Sequence, residues 1–192
     1  MEVYLDNSAT TKVFPDAAEL MTKIMCEDYG NPSSLYSFGQ RAKEVLEEAR
    51  NDVAEAIGAS PKEIYFTSGG SESDNLALKG TAFALKEKGR HIITTAIEHP
   101  AVLNTCAWLE KQGFEVTRVM PDGEGVIDPE DIRRAIRRDT ILISVMAANN
   151  EIGTIQPIAE IGAAVRGLGI TFHTDAVQAA GALPLDAVRM NV

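Results

Sequence analysis

The sequence predicts an α/β protein built on a doubly wound, mostly parallel sheet with helices on both faces. Short β-branched runs alternate with longer amphipathic helical patterns. Alternation of this kind requires crossover connections, and these produce parallel strands covered by helices. The run Ile141-Leu142-Ile143-Ser144-Val145-Met146 is apolar on both faces, which suits a strand in the middle of such a sheet. No linker, internal repeat or low-complexity stretch divides the 192 residues, a length that suits one sizeable core.

The elements follow in order. A helix is predicted over 38–57, where Ala42, Val45, Leu46, Ala49, Val53 and Ile57 share one face and Gly58 supplies the C-terminal stop. A strand is predicted at 64–66, a helix over 71–88 and a strand over 92–95. A helix over 100–112 and a strand over 115–119 come next. Asp128-Pro129 then opens another helix, with Asp at the N-cap and Pro at the first helical position. The apolar strand 141–146, a helix over 157–168 and a strand over 170–175 complete the pattern.

Charge and composition narrow the function classes. The net charge is −10 and 45% of the residues are apolar. That apolar content exceeds what a disordered segment carries, and the charge opposes non-specific binding to nucleic acid or to an anionic membrane. No apolar run approaches the length of a membrane span, and the first residues show no signal-peptide pattern. Cys26 and Cys106 lack the spacing of a zinc site or a disulfide framework. The expectation is a cytoplasmic protein with no metal, no nucleic-acid partner and no membrane contact.

Ligands of open parallel sheets bind outside the carboxyl ends of the strands, so the residues just after each strand decide the chemistry. After 64–66 comes Thr67-Ser68-Gly69-Gly70-Ser71-Glu72, a glycine turn running into a helix start, which suits an anion such as a phosphate. The plainer reading is a capping box between Ser71 and Asp74. After 92–95 comes His99, placed to stack on a planar ligand, to move a proton or simply to sit at a helix start. After 141–146 come Asn149 and Asn150, two amides that either serve a ligand or pin the loop. After the last strand come Asp175 and Gln178. The carboxylate there holds a protonated ring nitrogen or caps a helix. Chance capping explains any one of these clusters better than all four.

Nucleotide and metal readings are disfavoured. The sequence has no G-x-x-x-x-G-K-[ST], no G-x-G-x-x-G after the first strand and no H-E-x-x-H. A ligand with one phosphate, one basic ring nitrogen and a flat face remains, and pyridoxal 5′-phosphate has those features.

At these residues the chain resembles the class V, fold-type I pyridoxal-phosphate enzymes, and within them the cysteine desulfurases of iron–sulfur-cluster assembly and nitrogen fixation. The stretches that carry the resemblance run along the whole chain. They are Tyr4-Leu5-Asp6-Asn7-Ser8-Ala9-Thr10-Thr11, Gly30-Asn31-Pro32-Ser33-Ser34, Phe66-Thr67-Ser68-Gly69-Gly70-Ser71-Glu72-Ser73-Asp74-Asn75, Glu98-His99, Asn149-Asn150-Glu151-Ile152-Gly153 and His173-Thr174-Asp175-Ala176-Val177-Gln178. The resemblance implies that Gly70 and Ser71 bind the cofactor phosphate. His99 would stack on the pyridine ring and shuttle protons, as the catalytic residue among these. Asn150 would lie beside the phenolic oxygen and the substrate, Asp175 would pair with the pyridinium nitrogen, and Gln178 would donate to the phenolic oxygen.

The resemblance also implies a pyridoxal-phosphate transferase-like large domain, with residues 1–15 as an N-terminal segment and 16–192 as a partial α/β/α cofactor domain. The family's cofactor-bearing lysine belongs to a Ser-x-His-Lys motif after the aspartate. Seventeen residues follow Asp175 and none is lysine. The expectation is therefore the N-terminal half of a desulfurase, inactive alone, without the nucleophilic cysteine loop and the small C-terminal domain. Its expected partners are L-cysteine, a C-terminal half or second subunit, a sulfur acceptor or scaffold protein, and further copies in a homo-oligomer. A non-catalytic remnant or assembly partner that binds the cofactor weakly is the alternative. A dinucleotide-binding module is the third reading.

Overall fold

Four runs of β-branched and apolar residues pair into one parallel sheet in the computed structural model, which describes residues 1–192 as two compact units, 1–64 and 65–192. In the second unit the strands are β1 (His91–Thr95), β2 (Glu115–Val119), β3 (Thr140–Ser144) and β4 (Thr171–His173). Their order across the sheet is β2-β1-β3-β4, and every pairing is parallel. β1 and β3 are buried at every position, whereas the edge strand β2 exposes Glu115 and Arg118. Central strands therefore read as unbroken apolar or β-branched runs, and the edge strand shows its polar residues to solvent.

Helices cover both faces. On one side α3 (Gly70–Leu85) and α4 (Pro100–Lys111) place Leu78, Ala82, Val102, Cys106 and Leu109 around Ile92 and Leu142. On the other, α5 (Pro129–Ala135) and α6 (Ile158–Val165) place Ile132, Ile158, Ile161 and Val165 around Ile93 and Ile143. Ile92 and Ile93, and likewise Leu142 and Ile143, thus feed opposite layers, as strand pleating requires. The doubly wound arrangement expected from the sequence is present, and no helix is long and apolar enough to cross a membrane.

The first unit holds α1 (Pro15–Cys26), α2 (Ser37–Ala56) and a short 3₁₀ turn at Pro61–Glu63. Gly30 lies so close to the Phe38 carbonyl that a Cβ there would collide with backbone, which accounts for glycine at the head of the 30–34 loop. The Phe38 ring packs 6.0 Å from that of Tyr29 and carries the Arg41 guanidinium 4.4 Å above its centre.

Several expectations change. Residues 64–66 form no strand. Ile64 is extended, and its carbonyl accepts from the Arg50 guanidinium instead of from a ladder neighbour. The local pattern gives the extended shape, but a strand also needs an adjacent strand, and none pairs here. The Ser71–Asp74 capping box is absent as well. Glu72 fills that role, accepting from Ser68 N and Oγ at 2.7 and 2.6 Å, while Asp74 is buried. Two helices lie outside the elements that periodicity predicts. α1 buries none of its residues. α7 (Ala187–Met190) is a single turn capped by Asp186 and ended by Asn191 in the left-handed region. The Asp128 cap of α5 forms as expected, accepting from Glu130 N at 2.8 Å.

The segment after β3 turns back on itself through an antiparallel bridge between Ala148 and Ile155. Buried Gln156 fastens it. Its Oε1 accepts from Ile127 N and its Nε2 donates to the Gly125 carbonyl, both at 2.8 Å. Gln156→Ala would leave two backbone groups without partners at a buried position. The expected cost is about 2–3 kcal/mol, seen as a lower urea midpoint. A change within about 0.5 kcal/mol, the range of ordinary surface substitutions, would contradict this role.

Candidate functional site

The chain runs from β1 outward to β2 and then returns to β3 on the other side of β1. Strand order reverses there, and the crevice at the carboxyl ends of β1 and β3 is where sheets of this kind take ligands. Side-chain hydrogen bonds close its floor. Glu98, in the turn after β1, accepts through Oε1 from Thr95 Oγ1 at 2.7 Å and from Met146 N at 2.9 Å. Asn149 Nδ2 donates to the Ile97 carbonyl at 2.8 Å, and Asn149 Oδ1 accepts from Glu151 N and Ile152 N. The turn that bears His99 is therefore tied twice to the segment after β3.

Of the two amides, Asn149 pins the loop, and Asn150 takes no part in those bonds and sits half-buried beside it. His99 is exposed at the N-cap of α4, where its Nδ1 accepts from Ala101 N at 3.1 Å. That bond leaves the proton on Nε2 and the ring face open. His99 and Ser71 line one cavity of about 390 Å³ with Asn75, Lys79, Asn104 and Trp108.

The helix start of α3 carries backbone amides that lie ahead of its hydrogen-bond ladder. The Glu72 and Ser73 amides bond back to the Gly69 carbonyl, so those of Gly70 and Ser71 precede the first intrahelical bonds. A Cβ on Gly70 would stand 2.6 Å from Val177 Cγ2, so glycine lets the helix start approach the segment after β4. On that segment Asp175 is buried, and its Oδ1 accepts from Val177 N at 3.0 Å. Gln178 follows in an exposed turn. The phosphate-type cradle and the carboxylate thus meet through Gly70 and Val177. Ser71 and His99 meet across the cavity. Asn150 and Gln178 lie on the loops after β3 and β4.

Three polar residues outside the expected site set join it. Asp74 is 3% exposed, and its Oδ1 lies 3.6 Å from His173 Nε2. His173 Nδ1 is in turn 2.9 Å from Ser144 Oγ. Burial, reinforced by the Asp175 charge, pushes the Asp74 carboxyl up to about 7. Burial pushes the Glu98 carboxyl up to about 7 as well, and pushes His173 down to about 4. At neutral pH His173 is therefore uncharged. The sequence signal for Glu98 was a carboxylate three residues beyond Thr95 at the end of a wholly buried strand. Asp74 carried no comparable signal, because its partner stands 99 positions away.

His91 and Cys106 belong to the scaffold. The His91 ring bridges Thr140 Oγ1 and Thr117 Oγ1 at the opposite end of the sheet. Cys106 is buried in α4, and burial pushes its thiol up to about 12. No group of three or more His, Cys, Asp or Glu side chains is placed to hold a metal ion.

A buried carboxylate, a helix start whose first amides lie outside the ladder and an exposed imidazole fit pyridoxal 5′-phosphate. The buried Glu98 Oε2, Thr94 Oγ1 and Thr174 Oγ1 meet no hydrogen-bonding group of the chain, so the site also holds polar capacity beyond its internal needs.

Comparison with known proteins agrees. The profile of the family described as aminotransferase class-V matches residues 3–192. The cysteine desulfurase IscS of Methanosarcina thermophila is 58% identical over 190 residues, covering 99% of this chain and 47% of its own length. That of Dictyoglomus turgidum is 52% identical over 191 residues, covering 100% and 48%. Among solved structures, a NifS-like protein superposes with a TM-score of 0.96 at 43% identity, covering 100% of this chain and 53% of its own. SspA in complex with cysteine superposes with a TM-score of 0.95 at 42% identity, covering 98% and 55%. The chain spans about half the length of the curated relatives it matches.

Proposed function

The chain belongs to the class-V aminotransferase family, and from that premise we propose that it is the cofactor-binding part of a pyridoxal-phosphate cysteine desulfurase. The reaction would convert L-cysteine to L-alanine and pass the sulfur on as a persulfide. The observation that carries this reading is the buried Asp175 beside the α3 helix start, joined to it by the Gly70–Val177 approach. Relatives named cysteine desulfurase and a structural neighbour in complex with cysteine support the substrate.

Gly70 and Ser71 would hold the cofactor phosphate with backbone amides, and His99 would cover the ring face. Asp175 would face the ring nitrogen, with Asn150 and Gln178 beside the phenolic oxygen. When bound, the cofactor supplies an electron sink for the carbon that bears the substrate amine. A carboxylate that stays ionised beside the ring nitrogen favours its protonated form, and with it the sink. His99, with its proton on Nε2, is the group of this chain placed to move a proton. The lysine that carries the cofactor and the thiolate that takes the sulfur would come from a C-terminal half or a second subunit. A homo-oligomer, a cytoplasmic setting and a sulfur-acceptor or scaffold partner complete the proposal.

The test separates binding from turnover. The purified chain should shift the absorbance of pyridoxal phosphate on titration yet form no alanine from L-cysteine. Adding a C-terminal desulfurase half should start alanine formation. Failure to bind the cofactor in either state would sink the reading, and turnover by the chain alone would refute the need for a second half.

A further inference from the structure

The crevice gathers three carboxyl groups, and no lysine or arginine pairs with any of them. Asp74 comes from α3, Glu98 from the turn after β1 and Asp175 from the segment after β4, and each is at most 8% exposed. The only ion-pair partner among them is His173, 3.6 Å from Asp74, and burial keeps that imidazole neutral. Three negative charges cannot share a water-poor pocket without a counter-ion, so protons must remain on some of them.

Geometry tells which. Asp175 Oδ1 accepts a backbone amide, and its function under the proposed reading is to stay charged toward the ring nitrogen. Both donors to Glu98 converge on Oε1, while buried Oε2 meets no donor of the chain. An ionised carboxylate spreads its charge over both oxygens, and the undonated one would sit unsolvated. A protonated carboxyl places a neutral hydroxyl there, which costs far less to bury unpaired than a charge does.

We propose that Glu98 is a positioning residue that works as the neutral acid: Oε1 fixes the turn presenting His99, and the proton resides on Oε2, so that Glu98 adds no charge to the pocket it shares with Asp74 and Asp175. The proposal rests on the functional reading above. The groups that face Glu98 are Thr95 on β1, Met146 N after β3, Asp175, Asp74 on α3 and the Cys106 thiol on α4. None of them is a cation. Burial, opposed by the two donated bonds and reinforced by the Asp175 and Asp74 charges, raises the carboxyl from 4.5 to about 7.

The test compares Glu98→Gln with Glu98→Ala in the 192-residue chain. Glutamine keeps an acceptor for Thr95 and Met146 and imitates the protonated acid. An acid raised in the folded state favours folding below its unfolded value and loses that advantage as pH rises through the folded one. Glu98→Gln should therefore match the wild-type unfolding midpoint below pH 4.5, and it should gain on the wild type as pH rises through about 7. Glu98→Ala should unfold more easily at every pH. Infrared difference spectra of the wild type at mildly acid pH should show a carboxylic-acid stretch that Glu98→Gln lacks and that titrates away near 7.

If Glu98→Gln is as damaging as Glu98→Ala, or if the wild type lacks that acid band, the proposal is overturned. Should Glu98→Ala fail to fold, the pH profile and spectrum of Glu98→Gln still decide. Pyridoxal phosphate titration of the wild type is a separate arm. Its failure with the acid band intact would overturn the functional reading and leave the protonated Glu98 standing.

Discussion

Asp175→Asn is expected to keep the fold and the cofactor phosphate contacts while lowering desulfurase turnover in the assembled enzyme by roughly 10²–10⁴-fold. The asparagine oxygen still accepts from Val177 N, the bond that orients the native carboxylate. What is lost is the charge beside the ring nitrogen. Breaking a buried charge pair by neutralising one member costs about 3–5 kcal/mol, and each 1.36 kcal/mol is tenfold in rate. The readouts are kcat and KM for L-cysteine together with cofactor absorbance. The loss should fall on kcat while the phosphate contacts of Gly70 and Ser71 keep the cofactor bound. Near-normal alanine formation would show that Asp175 does not govern the ring.

The largest stability effect is expected from Leu142→Ala. Leu142 has no exposed surface, lies on a strand paired on both sides, and shares its layer with Ile92, Leu78 and Leu109. Truncation removes apolar contact and leaves a cavity that close-packed neighbours fill only in part. The expected cost is about 2–5 kcal/mol, read as a lower chemical-denaturation midpoint with an unchanged slope. Thr171→Ala, at an exposed position of edge strand β4, should by contrast fall within about 0.5 kcal/mol. Equal effects at the two positions would contradict the layered core.

These two residues also show what the sequence made legible. Leu142 was readable because a run apolar on both faces has one comfortable place in an α/β protein, and the structure puts it there. Asp175 stood out as a carboxylate ending such a run. His99, Ser71 and Gly70 were marked by the helix starts on which they lie, because a helix start is local. Residues 64–66 misled for the complementary reason, since their composition suits a strand and strand formation depends on a neighbour. The protonation of Glu98 and Asp74 was not legible, because it depends on contacts with Met146, His173 and Asp175, remote along the chain. The Asn149–Asn150 pair was legible as a pair, and only the hydrogen bonds separate the loop fastener from its neighbour.

The reversal of strand order at β1 and β3 also has a bearing on the chain's birth on the ribosome. The turn after β1 is synthesised well before Met146 and Asn149, which hold it in place, and Asp74 is synthesised still earlier than His173. During elongation both carboxyls stay in water, ionised and mutually indifferent. Burial is what raises both carboxyls, so each takes up a proton as folding closes the crevice over it. Closure of the crevice is thus coupled to proton uptake, and a chain in which it stays open would carry these acids in their charged form.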